Sequence, residues 1–305
     1  IQNKGWEFNI DIAAVKTKDW SFNFGFNISQ NKNEILELPE NKNDELYTFG
    51  NKNYAYSVMM GDPLGSFYGY RYKGVYQNVE ETYAVNTSGQ RILDIDGNPV
   101  VMKNGDQKVY PGDARYEDVN GDGVIDENDI VYLGNSNPTL TGGLNFTLRY
   151  KKVSLVAAFH GRAGQKVINQ ARMDMENMRG KNNQSVAVLR RWRSEGDDTD
   201  IPRALYDKGY NYLGSDRFVE DASFLRLKTV TLKYQMPAKW MKAIGVNKLE
   251  LYATGYDMFV WTKYKGQDPE VNLKAANDGT VAQVAIDSNN TPKPFKIAFG
   301  LNLNF

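Results

Sequence analysis

The fold class this sequence predicts is all-β, as part of a transmembrane antiparallel β-barrel with long extracellular loops, and three observations carry that prediction. From Phe295 to Phe305 the chain alternates strictly, with Phe295, Ile297, Phe299, Leu301, Leu303 and Phe305 on one face and Lys296, Ala298, Gly300, Asn302 and Asn304 on the other. Such a period of two is a strand with one apolar face, and about 9–11 residues is the length a tilted strand needs to cross a bilayer. Similar stretches recur along the chain, joined alternately by short turns and long loops, as in outer-membrane barrels. No run approaches the ~18–20 consecutive apolar residues of a membrane-spanning helix.

The elements follow in order. Trp6, Phe8, Ile10 and Ile12 alternate with polar residues, and after a short turn at 16–19 so do Trp20, Phe22, Phe24, Phe26 and Ile28, which makes a hairpin. Leu144, Phe146, Leu148 and Tyr150 form a third span, joined by Lys151-Lys152 to a fourth at Val153, Leu155, Ala157 and Phe159. Residues 224–235 form a fifth whose phase slips near Lys228, the signature of a bulge. Leu249, Leu251 and Ala253 mark a sixth, and 295–305 is the seventh. The long connections are 30–138, 161–222 and 258–294, with a modest one at 236–247. Parity then puts the C-terminus on the short-turn, periplasmic side and the long loops outside. Within the loops, 67–76 reads as a strand of an extracellular ribbon, and 185–193 carries a helical pattern starting at a Ser185 cap. Trp6, Trp20, Tyr150, Tyr234 and Trp240 fall near span ends, where amphipathic rings favour the membrane interface.

Composition limits the function classes. With 37 basic and 37 acidic residues the net charge is zero, which argues against a nucleic-acid partner. The absence of cysteine removes disulfide scaffolds, thiol nucleophiles and Cys-based metal sites. The single histidine, His160, cannot build a zinc set or a Ser-His-Asp triad and reads as a strand-end residue. The carboxylate pairs Glu195/Asp197 and Asp197/Asp198 sit in a polar run that reads as a solvated loop rather than a glycosidase dyad. No catalytic site is expected, and the chain is read as a non-enzyme.

The sharpest local motif is Asp118-Val119-Asn120-Gly121-Asp122-Gly123-Val124-Ile125-Asp126-Glu127-Asn128-Asp129. Taken as a twelve-residue calcium loop, it supplies Asp118, Asn120 and Asp122 at positions 1, 3 and 5, and Gly123 at the sharp sixth position. The Val124 carbonyl, Asp126 and Asp129 complete the set, Asp129 replacing the usual bidentate Glu. Such an ion would pin the loop structurally, and the bland alternative is an ion-free turn rich in Asx and Gly. Asp94-Ile95-Asp96-Gly97-Asn98 reads as a plain hairpin turn. The loop aromatics Tyr54, Tyr56, Phe67, Tyr68, Tyr70, Tyr206, Tyr210 and Tyr212 could stack on sugar or on a partner, or pack among themselves.

Several stretches together resemble the C-terminal part of SusC/RagA-type TonB-linked outer-membrane transporters of Bacteroidota. They are Gly61-Asp62-Pro63-Leu64-Gly65-Ser66-Phe67-Tyr68-Gly69-Tyr70, Pro111-Gly112-Asp113 leading into the calcium-like loop, Leu133-Gly134-Asn135-Ser136-Asn137-Pro138, and Phe159-His160-Gly161-Arg162-Ala163-Gly164. Further along come the run from Ser215 to Lys228, the run from Trp261 to Val271, and the strand ending at Phe305. The resemblance implies a 22-stranded barrel occluded by a plug, of which residues 1–305 would be the C-terminal part, with the plug domain and TonB box outside this chain. It implies nutrient import energised by TonB, a SusD-like surface lipoprotein as partner, oligosaccharide or peptide as cargo, and a dimer of transporter–lipoprotein pairs in outer-membrane lipid. The competing class is a secreted calcium-binding β-sandwich that binds carbohydrate.

Overall fold

The computed structural model describes residues 1–38, 47–48, 54–56, 59–243, 245–275, 283–289 and 291–304. Seven strands make one sheet: β1 (Gln2–Lys16), β2 (Trp20–Glu34), β3 (Leu140–Tyr150), β4 (Val153–Ala163), β5 (Phe224–Gln235), β6 (Lys248–Thr262) and β7 (Lys296–Asn304). Their order in the sheet is their order in the chain, and every neighbouring pair is antiparallel. This meander is what short turns between alternating strands produce. The spans run longer than their apolar cores suggest, because β1 and β2 reach 15 residues by continuing into polar sequence at the loop end, and β6 reaches 15 by continuing past the break in register at Asp257-Met258. Backbone pairing continues there while the apolar signal ends. The strand face of Phe305 lies outside the described residues.

The register sorts the side chains into two surfaces. One row across the sheet runs Ile12, Phe24, Phe146, Ala157, Val230, Gly255, Ile297. The next row, on the opposite face, runs Asp11, Gly25, Asn145, Ala158, Thr229, Tyr256, Lys296. The apolar face stays uncovered: Phe8, Leu232 and Phe299 are 50%, 54% and 82% exposed. No second sheet packs on it among the described residues, so it is built neither as a sandwich half nor as a soluble core. At the short-turn rim Trp20, Tyr150 and Tyr234 line up in one row with Val153 and Leu251, the Trp20 and Tyr150 ring centroids 4.3 Å apart. This is half of an interfacial aromatic girdle. The same rim is stitched by Lys151 N–H donating to the Asp19 carbonyl (2.7 Å) and Gln235 N–H to the Lys152 carbonyl (2.8 Å).

The apolar cores lie instead in the three long loops. The largest joins Tyr70, Tyr76, Met102, Tyr116 and Ile125 of the loop after β2 to Leu213 of the loop after β4. A second unites all three loops: Tyr54 and Phe67 from the first, Ile168, Met173 and Phe218 from the second, and Val284 from the third. A third packs Val167 and Ala222 against Tyr264 and Ala285. Small sheets support these cores: Ser66–Gly69 pairs with Val131–Asn135 in a four-stranded sheet, and Lys166–Ile168 pairs with Val219–Asp221 in a two-stranded one. The 67–76 strand thus belongs to the loop assembly, split into Ser66–Gly69 and Tyr72–Val75. The helical pattern at 185–193 is a 3₁₀ helix, Val186–Arg190, with Ser185 Oγ accepting from Ala187 N–H at 3.0 Å. The α-helices Gln170–Glu176 and Ala238–Ala243 escape the sequence reading, since seven and six residues are too few to show a helical period. Trp240 lies on the second of these and is exposed.

Candidate functional site

Two regions carry functional chemistry: the polar face of the sheet with the loop that folds against it, and the twelve-residue acidic loop. On the polar face, Gly25 has Asp11 and Asn145 so close that an added Cβ would sit 2.5 Å from Asp11 Oδ1 and 2.7 Å from Asn145 Oδ1. Asp11 and Asn145 thus occupy the space over Gly25, and only a residue without a Cβ fits between them. Toward the loop end, Asn3, Ser29, Asn31, Asn33, Asn137 and Thr141 line a groove of about 600 Å³. Asn33 Oδ1 accepts from Leu64 N–H (2.7 Å) and Asn137 Nδ2 donates to the Leu64 carbonyl (2.7 Å), which moors the first loop to the groove.

Deeper on the same face, Arg226 is 3% exposed yet charged, which requires paired acids. Its Nε lies 2.8 Å from Glu270 Oε2 and its Nη2 2.5 Å from Asp268 Oδ1, both on the loop after β6. Lys228 and Lys293 also reach Glu270, at 3.3 and 2.7 Å. Burial alone would push the Glu270 carboxyl up, but Lys293, then Lys228 and Arg226, outweigh it and hold it below its ordinary value. A second cluster fastens loop to loop: Arg172 bridges Glu176 (2.9 Å) and Glu220 (3.0 Å), Arg217 reaches Glu176 (3.1 Å), and Glu220 Oε2 accepts from Lys265 N–H (2.9 Å). In the third core, Tyr264 donates to Asp287 Oδ2 (2.7 Å), and burial followed by that carboxylate pushes the Tyr264 phenol up.

The acidic loop is folded as a chain of side-chain caps on backbone. Asp118 Oδ1 accepts from Gly121 N–H (2.8 Å) and Oδ2 from Gly123 N–H (2.8 Å), while Asp122 Oδ1 accepts from Val124 N–H (2.8 Å). Asn120 Nδ2 donates to Asp122 Oδ2 at 2.8 Å, so Asn120 and Asp122 touch. Asp126 caps the short helix Glu127–Asp129 by accepting from Asn128 N–H (2.8 Å). Asp129 is fully buried, with Oδ1 accepting from Val119 N–H (2.7 Å) and Oδ2 from Asp126 N–H (2.9 Å). Burial pushes the Asp129 carboxyl up against those two donors, and the acid joins the loop's two ends. Gly121 and Gly123 both have positive φ, 71° and 86°, which only glycine takes without strain. Among the described residues no three carboxylate or imidazole groups converge in a metal-holding arrangement.

The remaining sequence-marked residues sort simply. His160 packs its ring edge-on against Phe224 (5.9 Å) within the sheet. Asp197 accepts from Arg193 N–H (2.7 Å) and Ser194 N–H (3.1 Å), a turn cap on an exposed loop, and these bonds hold its carboxyl below the usual range. Asp94 closes its hairpin by accepting from Asn98 N–H (2.8 Å) and Asp96 N–H (3.0 Å). Of the loop aromatics, Tyr54, Phe67, Tyr68 and Tyr70 are buried core, and burial with the nearby Asp129 pushes the Tyr70 phenol up to about 12. Tyr206 is exposed. The Arg226–Glu270 and Arg172–Glu220 clusters were not legible in the sequence, because each joins residues more than forty positions apart in the chain.

A wall of antiparallel strands, apolar outside and polar within, carrying interlocked loops at one end, defines a segment of an outer-membrane-type barrel. No protein-family model matches the chain. Over its whole length it is 33% identical to a TonB-dependent receptor of Formosa agariphila and 27% identical to the TonB-dependent receptor SusC of Bacteroides thetaiotaomicron. It spans 29% and 26% of those two relatives. The RagAB peptide importer in its closed-closed state shares the fold, with a TM-score of 0.70 at 24% identity over 99% of this chain and 29% of that one. Over its whole length the chain is similar to a segment of TonB-dependent receptors, SusC among them.

Proposed function

We propose that this chain is wall and outer loops of a 22-stranded barrel that imports a nutrient across the bacterial outer membrane, energised by TonB acting on a plug outside residues 1–305. One observation carries the reading: the seven-stranded wall exposes its apolar face, folds loop residues against its polar face, and places every hydrophobic core cluster among the described residues in the loops. A soluble domain would bury the wall instead. The short turns would lie in the periplasm and the loop assembly outside the cell, where it would meet a SusD-like lipoprotein. Cargo is an oligosaccharide or a peptide, peptide being what the RagAB importer is named for, and the assembly is a dimer of transporter–lipoprotein pairs. The groove among Asn3, Asn31, Asn33 and Asn137 fits either cargo, since carboxamides both donate and accept.

Calcium belongs to the same proposal as a structural ion on the 118–129 loop, with Asp118, Asn120, Asp122, the Val124 carbonyl, Asp126 and Asp129 as its oxygen set. The geometry supports it in part. Asp118, Asn120 and Asp122 share one turn, but Asp118, like Asp129, has both of its oxygens accepting from backbone N–H groups. The import reading is tested by affinity purification of the whole receptor from native membranes in mild detergent, together with uptake in cells with and without TonB. Recovery of a SusD-like lipoprotein and TonB-dependent uptake are expected. A receptor recovered without such a lipoprotein, or uptake indifferent to TonB, contradicts it.

A further inference from the structure

The chain as a whole is neutral, but its lysines gather at the short-turn end of the sheet. The described residues of the connections 16–19, 151–152 and 236–248 expose Lys16, Lys18, Lys151, Lys152, Lys239 and Lys248 against one acid, Asp19. The register divides these lysines. Lys16 pairs with Ser21 and falls in the polar row with Arg149, Ser154 and Lys233, while Lys248 lies 3.9 Å from Glu250. Lys18, Lys151 and Lys152 stand on two neighbouring turns, and none is in an ion pair among the described residues. Those turns are held side by side by Lys151 N–H donating to the Asp19 carbonyl at 2.7 Å. The Lys151 ammonium lies 5.2 Å from the Tyr150 ring centroid, and that ring packs on Trp20 at 4.3 Å. Tyr150 belongs to the apolar face, so this cation stands over the face read as lipid-facing. One row further from the turns, Phe22, Leu148, Leu155, Leu232, Ala253 and Phe299 continue that face. On the third connection Lys239 and Trp240 are again a cation and a ring exposed together, on the six-residue helix Ala238–Ala243.

We propose that Lys18, Lys151 and Lys152, with the Trp20–Tyr150 pair beneath them, bind the headgroup of a phospholipid of net negative charge. From the turns inward the wall offers ammonium groups, then amphipathic rings, then hydrocarbon. A phospholipid presents the partners in the same order, as phosphate, ester region and acyl chains. The proposal rests on the lipid-facing reading of the wall and adds a class of lipid to it. Charge selects that class: a zwitterionic ethanolamine headgroup brings its own ammonium up against the lysines, whereas a glycerol headgroup brings the phosphate charge alone. Lysines are point charges on flexible stems, so the turns sort lipids by charge rather than by headgroup shape. An acidic protein fits the turns less well, because the ring beneath Lys151 belongs to a face turned to hydrocarbon.

The test uses the complete receptor carrying one bimane-labelled cysteine, Val153→Cys in the row of rings or, as reference, Leu225→Cys at the loop end of the same face. Bilayers of phosphatidylethanolamine hold brominated phosphatidylglycerol or, in parallel, brominated phosphatidylethanolamine at the same mole fraction. Quenching at 153 should show a preference for the glycerol lipid of at least about threefold, weakened by salt, with no preference at 225. The triple variant K18Q/K151Q/K152Q should abolish the preference, and K18R/K151R/K152R should keep it. All three lysines are exposed turn residues, so both variants should assemble, which the heat-modifiable gel shift checks. The parent's ratio at 153 decides the proposal even where a variant does not assemble. Equal quenching by the two lipids at 153 overturns the proposal in favour of an acidic protein at the turns. A preference that survives the glutamine variant, or is lost in the arginine one, overturns it too. Quenching by neither lipid at 153 removes the lipid-facing reading itself, so the two failures are told apart.

Discussion

Lys228 Nζ lies 3.4 Å from Asp257 Oδ1, and the two residues are the irregular ones where β5 meets β6. The pairing jumps from Leu227↔Phe259 to Thr229↔Tyr256, leaving Lys228 opposite two residues, Asp257 and Met258. Asp257 takes a left-handed φ of 50° to achieve it. The bulge re-aims Lys228 so that it serves both Asp257 and Glu270, coupling a kink in the wall to the loop that folds against it.

That coupling makes the loop after β6 pH-sensitive. Glu270 is held below its ordinary carboxyl value of 4.5 in the folded protein. A depressed acid pKa contributes stability above the unfolded pKa, and this is lost as pH falls through the folded pKa. Protection against hydrogen exchange at residues 265–271, taken relative to the intrinsic rate at each pH, should therefore fall as pH drops below about 4.5, and Glu270→Gln should lower it already at pH 7. Protection in that segment unchanged from pH 7 to pH 3 would show that the cluster does not fasten the loop.

Phe299, 82% exposed on the apolar face, should not tolerate a charge. Phe299→Arg is expected to lower folding stability by about 2–4 kcal/mol near the bilayer midplane. Reversible unfolding of the whole receptor in phospholipid measures this, and a variant as stable as the parent would place Phe299 off the lipid face.

The loop cores should melt apart from the wall. Phe218 is 1% exposed at the junction of all three loops, and its replacement by Ala should cost about 3–5 kcal/mol locally. Protease sites should open in the loops while the barrel keeps its heat-modifiable gel shift. Loss of both together would mean the two regions fold as one unit.

Removing the calcium proposed for residues 118–129 should loosen them. Chelation is expected to speed proteolysis there, and Asp118→Asn with Asp122→Asn should mimic it. Anomalous scattering that finds no ion in crystals grown with calcium, together with proteolysis indifferent to chelator, would leave a self-capped turn.

The wall was readable in the sequence because strict alternation in Phe295–Phe305 and Trp20–Ile28 reports one apolar and one polar face directly. The bulge at Lys228 was readable for the same reason, as a break in phase. The strand ends were not: Asn31 to Glu34 are polar on both faces, yet pair with Gln2 to Gly5 along the backbone, with Asn33 Nδ2 donating to Asn3 Oδ1 at 2.8 Å. The loop assembly stayed hidden because its contacts join distant residues, as when Tyr54 Oη donates to the Ser215 carbonyl at 2.7 Å. For the acidic loop, spacing revealed the caps, but only geometry showed Asp129 buried and turned onto Val119 and Asp126 N–H.

The central claim is that one face of the sheet meets lipid, and residues 1–305 hold no cysteine to compete with a label introduced there. Single cysteines at 298, 299, 301 and 302 of the whole receptor, each carrying a bimane label, would be reconstituted in bilayers containing brominated or doxyl lipid. The account predicts strong lipid quenching at Phe299→Cys and Leu301→Cys, with Ala298→Cys and Asn302→Cys instead quenched by a water-soluble agent. Equal lipid quenching at all four positions, or the reverse alternation, would contradict it.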